Sequence, residues 1–211
     1  MNHLKDFHPR SFDIASNESD LQYYTTHSVP PMLDQGGYKA IEALYHTLIQ
    51  ESDTILDLMC GANSHMPSDL SCQNFIGIDL NPQALKENTA LTRKITQDIN
   101  EKTELHLKDS SVDYICLCCV FEYLRNPFET LDECLRILKP GGRIIISFSS
   151  QFLPLRATAL WQALENQDRQ GLVKVLLNRA GFADFDQGEV HPPEDQTVWK
   201  DPIYSVVARK P

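Results

Sequence analysis

Short, almost wholly apolar runs alternate along the chain with stretches whose apolar residues return every third or fourth position. The first pattern predicts strands covered on both faces, the second amphipathic helices. Ile55–Met59, Phe75–Leu80 and Val112–Val120 are strands of this kind, with Lys94–Asp98 a shorter and weaker one between them. Ile144–Ser149 is the fifth. Helix signals fall between them. Tyr38–Gln50 carries Ala40, Leu44 and Leu48 at helical spacing. Asn81-Pro82 and Asn126-Pro127 each place a capping residue before a proline suited to a first helical turn. Phe128, Leu131, Cys134, Leu135 and Leu138 form one stripe of the later helix. Lys139-Pro140-Gly141-Gly142-Arg143 reads as the turn that ends it. A helical region from about Pro154 to Ala180, with a break near Gly171, stops at Gly181. Two closing strands, Phe182–Val190 and Ile203–Ala208, flank the Pro- and acid-rich segment His191–Pro202. Strands alternating with helices and then a closing pair predict a three-layer α/β sandwich.

Residues 1 to about 35 lack this alternation. They read as an irregular polar leader, or lid, folded over a domain spanning residues 36–211.

Two strands end in acids. Ile55-Leu56-Asp57-Leu58-Met59 runs into the turn Cys60-Gly61-Ala62-Asn63, and Phe75-Ile76-Gly77-Ile78 runs into Asp79-Leu80-Asn81. Parallel sheets bind nucleotide-like ligands at the carboxyl ends of neighbouring strands. A carboxylate there can accept hydrogen bonds from both hydroxyls of a ribose. The plainer alternatives are that Asp57 and Asp79 are helix caps and Asp98 a surface turn residue.

Charge and cysteine content narrow the function classes. A formal net charge of -10 with no run of Lys or Arg argues against phosphate-backbone binding. The segment Met1–Asp6 is polar with no apolar signal core, and no apolar run reaches the roughly 20 residues that span a bilayer. The expected setting is cytoplasmic, with the six cysteines reduced. Cys116, Cys118 and Cys119 have no matching second pair for a metal site and lie in an apolar run, so they are expected as buried strand residues and no metal is expected.

In order, the acid-ended strand, Cys-Gly turn, second acid-ended strand, Gln97-Asp98, apolar fourth strand, Lys-Pro-Gly-Gly and late Ala180-Gly181-Phe182 resemble class I S-adenosylmethionine-dependent methyltransferases, and within them the small type-11-like group. The resemblance covers about residues 50 to 210. It implies a mostly parallel, seven-stranded Rossmann-like sheet with an antiparallel last strand, and S-adenosylmethionine as cofactor. It further implies Asp57, Cys60, Gly61 and Ala62 near the methionine part and Asp79 with Leu80 at the ribose. Gln97, Asp98 and Ile99 would lie at the adenine, and Cys118 beside the sulfonium.

The departures are local. The family's turn carries three alternating glycines, and here Met59 and Asn63 stand at the first and third places. Asn tolerates the left-handed conformation that glycine supplies; Met59 is the larger change. The chain is also similar to a subset of methyltransferase-like proteins whose non-glycine turn ends in Ser-His-x-Pro, here Ser64-His65-Met66-Pro67, with Ser147-Phe148-Ser149 and a later Trp, here Trp161. The single glycine argues against a dinucleotide fingerprint, and no P-loop is present.

Methyl transfer by this route needs positioning before anything else. Candidate bases are Glu122 after the fourth strand and His191 in the last loop, with His65 and Tyr123 as further candidates. Tyr23 and Tyr24 could belong to a lid. The expected acceptor is a small molecule. A protein that keeps the cofactor without turnover is the competing expectation, and Met59 is the residue that favours it.

Overall fold

The computed structural model describes residues 7–194 and 198–211. The sequence reading of Met1–Asp6, and that of positions 195–197 within the last loop, fall outside the described residues. Seven strands form one sheet: β1 (Thr54–Leu58), β2 (Asn74–Asp79), β3 (Arg93–Thr96), β4 (Val112–Cys118), β5 (Leu138–Ser149), β6 (Ala183–Val190) and β7 (Ile203–Arg209). Their spatial order is β3-β2-β1-β4-β5-β7-β6. The first five pair in parallel, while β7 runs antiparallel to both β5 and β6. This is the mixed seven-stranded sandwich that the alternating pattern and the resemblance predict.

Helices cover both faces of the sheet, each turning an apolar stripe inward. On one face lie α2 (Gln35–Leu48), through Ile41 and Tyr45, and α3 (Pro82–Glu87), through Leu85. On the other lie α4 (Pro127–Ile137), α5 (Ala159–Ala163) and α6 (Asn166–Ala180), packing Leu131, Trp161, Val173 and Leu176 against Ile115, Ile144, Phe148 and Val206. The central strands β1, β4 and β5 are buried on both faces, which is why their sequences hold long apolar runs.

Several local expectations change. Residues 1–35 are not wholly irregular, because Ser19 caps a short helix, α1 (Asp20–Thr26). The next helix begins at Gln35, where the Asp34 side chain accepts the Gly37 amide. Gly36 and Gly37 therefore lie inside its first turn. A Cβ on Gly36 would meet Trp199 Cβ at 2.1 Å, so glycine lets this turn dock on the 198–203 strand entry. The region 154–180 breaks at Leu164-Glu165, which are extended, and not at Gly171, which sits exposed within α6. Lys139–Arg143 does not leave the sheet: it enters β5 through a register shift against Val112 and Tyr114, with Gly141 at φ 81°. No helix connects β1 to β2; the crossover of residues 59–73 is irregular.

The described part of the leader makes several contacts with the domain. Phe7 and Phe12 form an aromatic trio with Phe128 of α4, with ring centroids 5.6 to 5.9 Å apart. The carbonyls of Ser11 and Asp13 accept the first two amides of α5, Leu160 at 2.8 Å and Ala159 at 2.9 Å. Finally, α1 buries Asp20 among loops that follow β3, β4 and β5. All six cysteines are free and buried.

Candidate active site at the carboxyl ends of the central strands

Parallel pairing brings the carboxyl ends of β1, β2, β3 and β4 side by side: Leu58 opposes Ile78, and Asp79 opposes Thr96. The turn after β1 is built on two left-handed residues, Met59 at φ 56° and Gly61 at φ 59°. Asn63 does not adopt that conformation, so of the two departures from the glycine pattern only Met59 keeps the backbone shape glycine supplies. The amides of Met59 and Cys60 both donate to Ile78 O, at 2.7 and 3.3 Å, and lock the turn onto β2. Gly77 makes that closeness possible, since a Cβ there would meet Leu91 at 2.3 Å and Cys60 Sγ at 2.9 Å. In front of Gly61, by contrast, a Cβ would meet nothing within 4 Å.

Asp79 ties this open turn to the next loop. One carboxylate oxygen accepts the Gly61 amide at 2.9 Å and the other accepts the Asn81 amide at 2.8 Å. Burial raises its pKa, and those amides act against the rise. Each oxygen retains a lone pair, so the group can still accept from two hydroxyls. Asp57 is buried one strand over, where burial pushes it up to about 7 against the Ser64 hydroxyl and the His65 charge.

Asn88, at the end of α3, is a site residue that the sequence does not reveal. Its side-chain amide donates to Ser64 Oγ at 2.9 Å and to Gly61 O at 3.3 Å, fixing the far end of the turn. Nothing in its local sequence separates it from an ordinary helix terminus. Cys60, Ala62 and Leu80 lie on the same rim, Cys60 buried and the other two half-buried.

After β3, Gln97 donates its backbone amide to Asp79 O at 2.9 Å, and its side chain to Lys102 O and Glu104 O at 2.7 and 2.9 Å. Its side chain is thus committed to shaping the loop. Asp98 accepts the Asn100 amide at 2.9 Å, and Ile99 is buried beneath them. At the end of β4 stands Cys118. A hydrogen bond from Cys119 holds its thiol well below the usual range despite burial, with His65 and Ser147 adding to the effect. Burial alone would lower His65, but the Cys118 charge beside it pushes the imidazole up to about 9. Cys119 itself has φ 53°, so two successive cysteines pack on the same side of the sheet.

Glu122 follows in a single 3-10 turn, Phe121–Tyr123. It is 1% exposed, and neither of its carboxyl oxygens has a hydrogen-bond partner among the described residues. Burial pushes it up to about 8. Tyr24 of α1 is within electrostatic reach of it, its own pKa raised by burial and by Glu122, Tyr23, Asp79 and Asp98. One phenol therefore feels the charge of Glu122 and of the acids of β2 and the loop after β3.

His191 is not brought to this group. It follows β6, the outermost strand, with an exposed ring bonded to Glu189 at 2.5 Å. Among the described residues there is no cluster of His, Cys, Asp or Glu suited to a metal ion, and no helix long and apolar enough to cross a membrane.

The anchorage of α1 is equally hidden in the sequence. Asp20 pairs with Arg156, a fully buried guanidinium, and with Arg125 at 2.9 Å, and it accepts from Asn100 at 3.2 Å. Asn100 accepts the Arg125 amide at 2.8 Å and donates to Tyr123 O at 3.0 Å. These partners are remote in sequence, so spacing carries no trace of them.

The open face at Gly61, the two-acceptor carboxylate of Asp79 and the loop-closing Gln97-Asp98 segment fit an adenosyl cofactor carrying an amino-acid tail. Comparison with known proteins agrees. Residues 56–146 match the family described as a methyltransferase domain. A Mycolicibacterium smegmatis protein described as a probable S-adenosylmethionine-dependent methyltransferase is 27% identical over 132 residues, covering 61% of this chain and 51% of that protein. An arsenite methyltransferase of Halobacterium salinarum is 26% identical over 162 residues, covering 69% and 40%. The chain thus spans about half the length, or less, of these curated relatives. A SAM-dependent methyltransferase from Aquifex aeolicus superposes with a TM-score of 0.60 at 18% identity, covering 85% of this chain and 92% of that one. The sequence match over residues 56–146, the sheet topology and the turn geometry together support a class I S-adenosylmethionine-dependent methyltransferase domain, a family whose cofactor is S-adenosylmethionine.

Proposed function

We propose that this protein transfers a methyl group from S-adenosylmethionine to a small-molecule acceptor, chiefly by holding the reactants in line. The observation that carries this reading is the tie between Asp79 and Gly61, which presents an acid and an open backbone turn on adjoining strand ends. The cofactor supplies an electrophilic methyl group. The chain supplies position: Asp79 with Leu80 for the ribose hydroxyls, Asp57, Cys60, Gly61 and Ala62 for the amino-acid tail, and Gln97, Asp98 and Ile99 for the adenine side. Cys118 closes the floor at the end of β4. Placement of this kind contributes on the order of 7–11 kcal/mol to a two-reactant step.

The leader, residues 1–35, acts as a lid in this reading. Its α1 helix brings Tyr24 within electrostatic reach of Asp79 and Glu122 and is pinned through Asp20. The acidic net charge suits a partner other than nucleic acid. Six buried free cysteines suit a reducing, cytoplasmic setting.

The test is to incubate the protein with methyl-labelled cofactor and a low-molecular-mass cell extract. A labelled product that disappears in an Asp79→Ala variant is the expected result. A specific observation favours one competing reading: Met59 fills the first glycine position of the turn while keeping its left-handed backbone. A protein that binds cofactor without turnover would show tight S-adenosylhomocysteine binding and no labelled product from any fraction.

A further inference from the structure

Resting on the methyltransferase reading, we propose that the acceptor is an amine, and that Glu122 receives its ammonium head and takes its proton ahead of methyl transfer. The primary observation is geometric. A carboxyl group that is 1% exposed, with two orphaned oxygens, stands in the turn that follows β4. Buried polar groups are paired almost without exception, and an orphaned one calls for a partner that arrives with the ligand. In its ionised form the group can only accept hydrogen bonds, so a partner that draws it into that form must donate.

The surroundings select the donor's charge. The groups facing Glu122 are Tyr24 from the lid, Cys118 and Cys119 from the end of β4, Tyr123 from its own turn and Arg169 from α6. The guanidinium of Arg169 is already engaged, donating to Trp161 O at 3.0 Å and to Asn166 at 2.6 Å. Those of Arg125 and Arg156 are engaged by Asp20. The Tyr123 hydroxyl accepts the Leu153 amide at 3.0 Å and donates to Met32 Sδ at 3.6 Å. With Asp79 and Asp98 also within electrostatic reach of Tyr24, the surroundings are acidic and would repel a carboxylate acceptor. An ammonium answers both the charge and the missing donors.

The chemistry balances. An ammonium must lose one proton before its nitrogen has a lone pair to offer. Glu122, the neutral acid at rest, gives its own proton to solvent as the ammonium binds; as carboxylate it then takes the ammonium proton and becomes the neutral acid again, leaving a neutral amine. The nitrogen lone pair forms the new N–C bond, and the electron pair of the broken S–C bond returns to sulfur. The product leaves as a methylated ammonium, and Glu122 is left as the neutral acid from which it began. Burial places the Glu122 carboxyl, at about 8, far closer to an alkylammonium than an ordinary carboxyl is. The proton transfer is correspondingly less uphill.

The test uses calorimetry on the full chain saturated with S-adenosylhomocysteine. The probes are methylammonium and benzylammonium, with benzyl alcohol and benzoate as uncharged and anionic controls. The expected result is binding of an ammonium probe but of neither control. Glu122→Gln should keep its S-adenosylhomocysteine affinity and bind the ammonium at least tenfold more weakly. A second measurement needs no variant: wild-type protein at pH 7 should release about one proton on binding the ammonium, read from two buffers of different ionisation enthalpy. S-adenosylhomocysteine binding with no ammonium binding, or with ammonium binding equal in wild type and Glu122→Gln, overturns the amine assignment alone. Failure of the wild-type protein to bind S-adenosylhomocysteine overturns the methyltransferase reading, and the assignment falls with it.

Discussion

The Asp79 carboxylate accepts the Gly61 amide at 2.9 Å, so the end of β2 and the turn after β1 move together. The same carboxylate holds Asn81, the cap of α3. Asp79→Ala therefore removes two hydrogen bonds along with the proposed ribose acceptor. The expected cost is roughly 1–3 kcal/mol of unfolding free energy, since bonds to an ionised acceptor are among the stronger ones. Cofactor binding should suffer more. In wild type, S-adenosylhomocysteine at a hundredfold excess over its dissociation constant should add about 2.7 kcal/mol. Thermal unfolding of the variant with the same ligand should show little or none of that gain. A full gain in Asp79→Ala would place the ribose elsewhere.

Met59 sits at φ 56° with its side chain half-buried against the core. An unbranched side chain bears this conformation at a cost of about 1–2 kcal/mol, whereas a β-branched one is a true outlier there. Met59→Ile should therefore destabilise by a further ~1–3 kcal/mol in urea unfolding. Met59→Gly relieves the backbone but loses the packing, so the net change should stay within about 1 kcal/mol. If isoleucine were tolerated as well as glycine, the turn would not be strained at this residue.

The alternation of elements and the acids of β1 and β2 can be read from sequence because they depend on local periodicity. The strands β1, β2, β4 and β5 contain nearly continuous apolar runs, and Asp79 stands where one such run stops. The misplaced boundaries have a common cause, which is that a glycine's local meaning depends on what faces it. Gly36 and Gly37 stand just before the helical periodicity of Tyr38–Gln50, yet they belong to the helix, because Trp199, far along the chain, fills the space that a side chain on Gly36 would occupy. Gly171 looks like a break in α6, but it is exposed and the helix continues past it. At the site, Asp79 and Glu122 are nameable from their position after a strand. Asn88 and the Asp20–Arg156 pair are not, because their roles exist only once distant loops meet. Asn63, equally, has the composition of a left-handed residue without the conformation.

Asp20 and Arg156 form an ion pair in which both side chains are nearly excluded from solvent, at 7% and 1% exposure. Removing one partner from such a pair leaves an uncompensated buried charge, which typically costs about 3–5 kcal/mol. Here the leader offers a release, since α1 can lift and admit water to Arg156. Asp20→Ala should thus expose the leader before it unfolds the domain. Hydrogen exchange at the amides of Tyr23 and His27, both bonded within α1, should speed up while β4 and β5 remain protected. Pairing the change with Arg156→Met should restore much of the domain's stability, because the buried charge is then gone. Uniform loss of protection across β4 and β5 would show that α1 is part of the core.

Glu122 makes a pH prediction with a defined sign. Its ordinary pKa is 4.5 and burial raises it to about 8 in the folded protein. Below pH 4.5 the carboxyl is protonated in folded and unfolded chains alike, and it contributes no pH dependence. As pH rises from about 4.5 towards 8 the unfolded chain ionises first, so folding is progressively disfavoured, and the loss levels off above the folded pKa. Asp57, raised to about 7, acts in the same direction over a slightly narrower range. Glu122→Gln deletes the larger of the two contributions. Its stability should match wild type near pH 4.5 and exceed it by a few kcal/mol at pH 8, because each tenfold difference in proton affinity between folded and unfolded chains is worth about 1.4 kcal/mol. Urea unfolding of both proteins at several pH values measures this. Parallel curves across the range would mean that Glu122 is already ionised in the folded state and has found a partner.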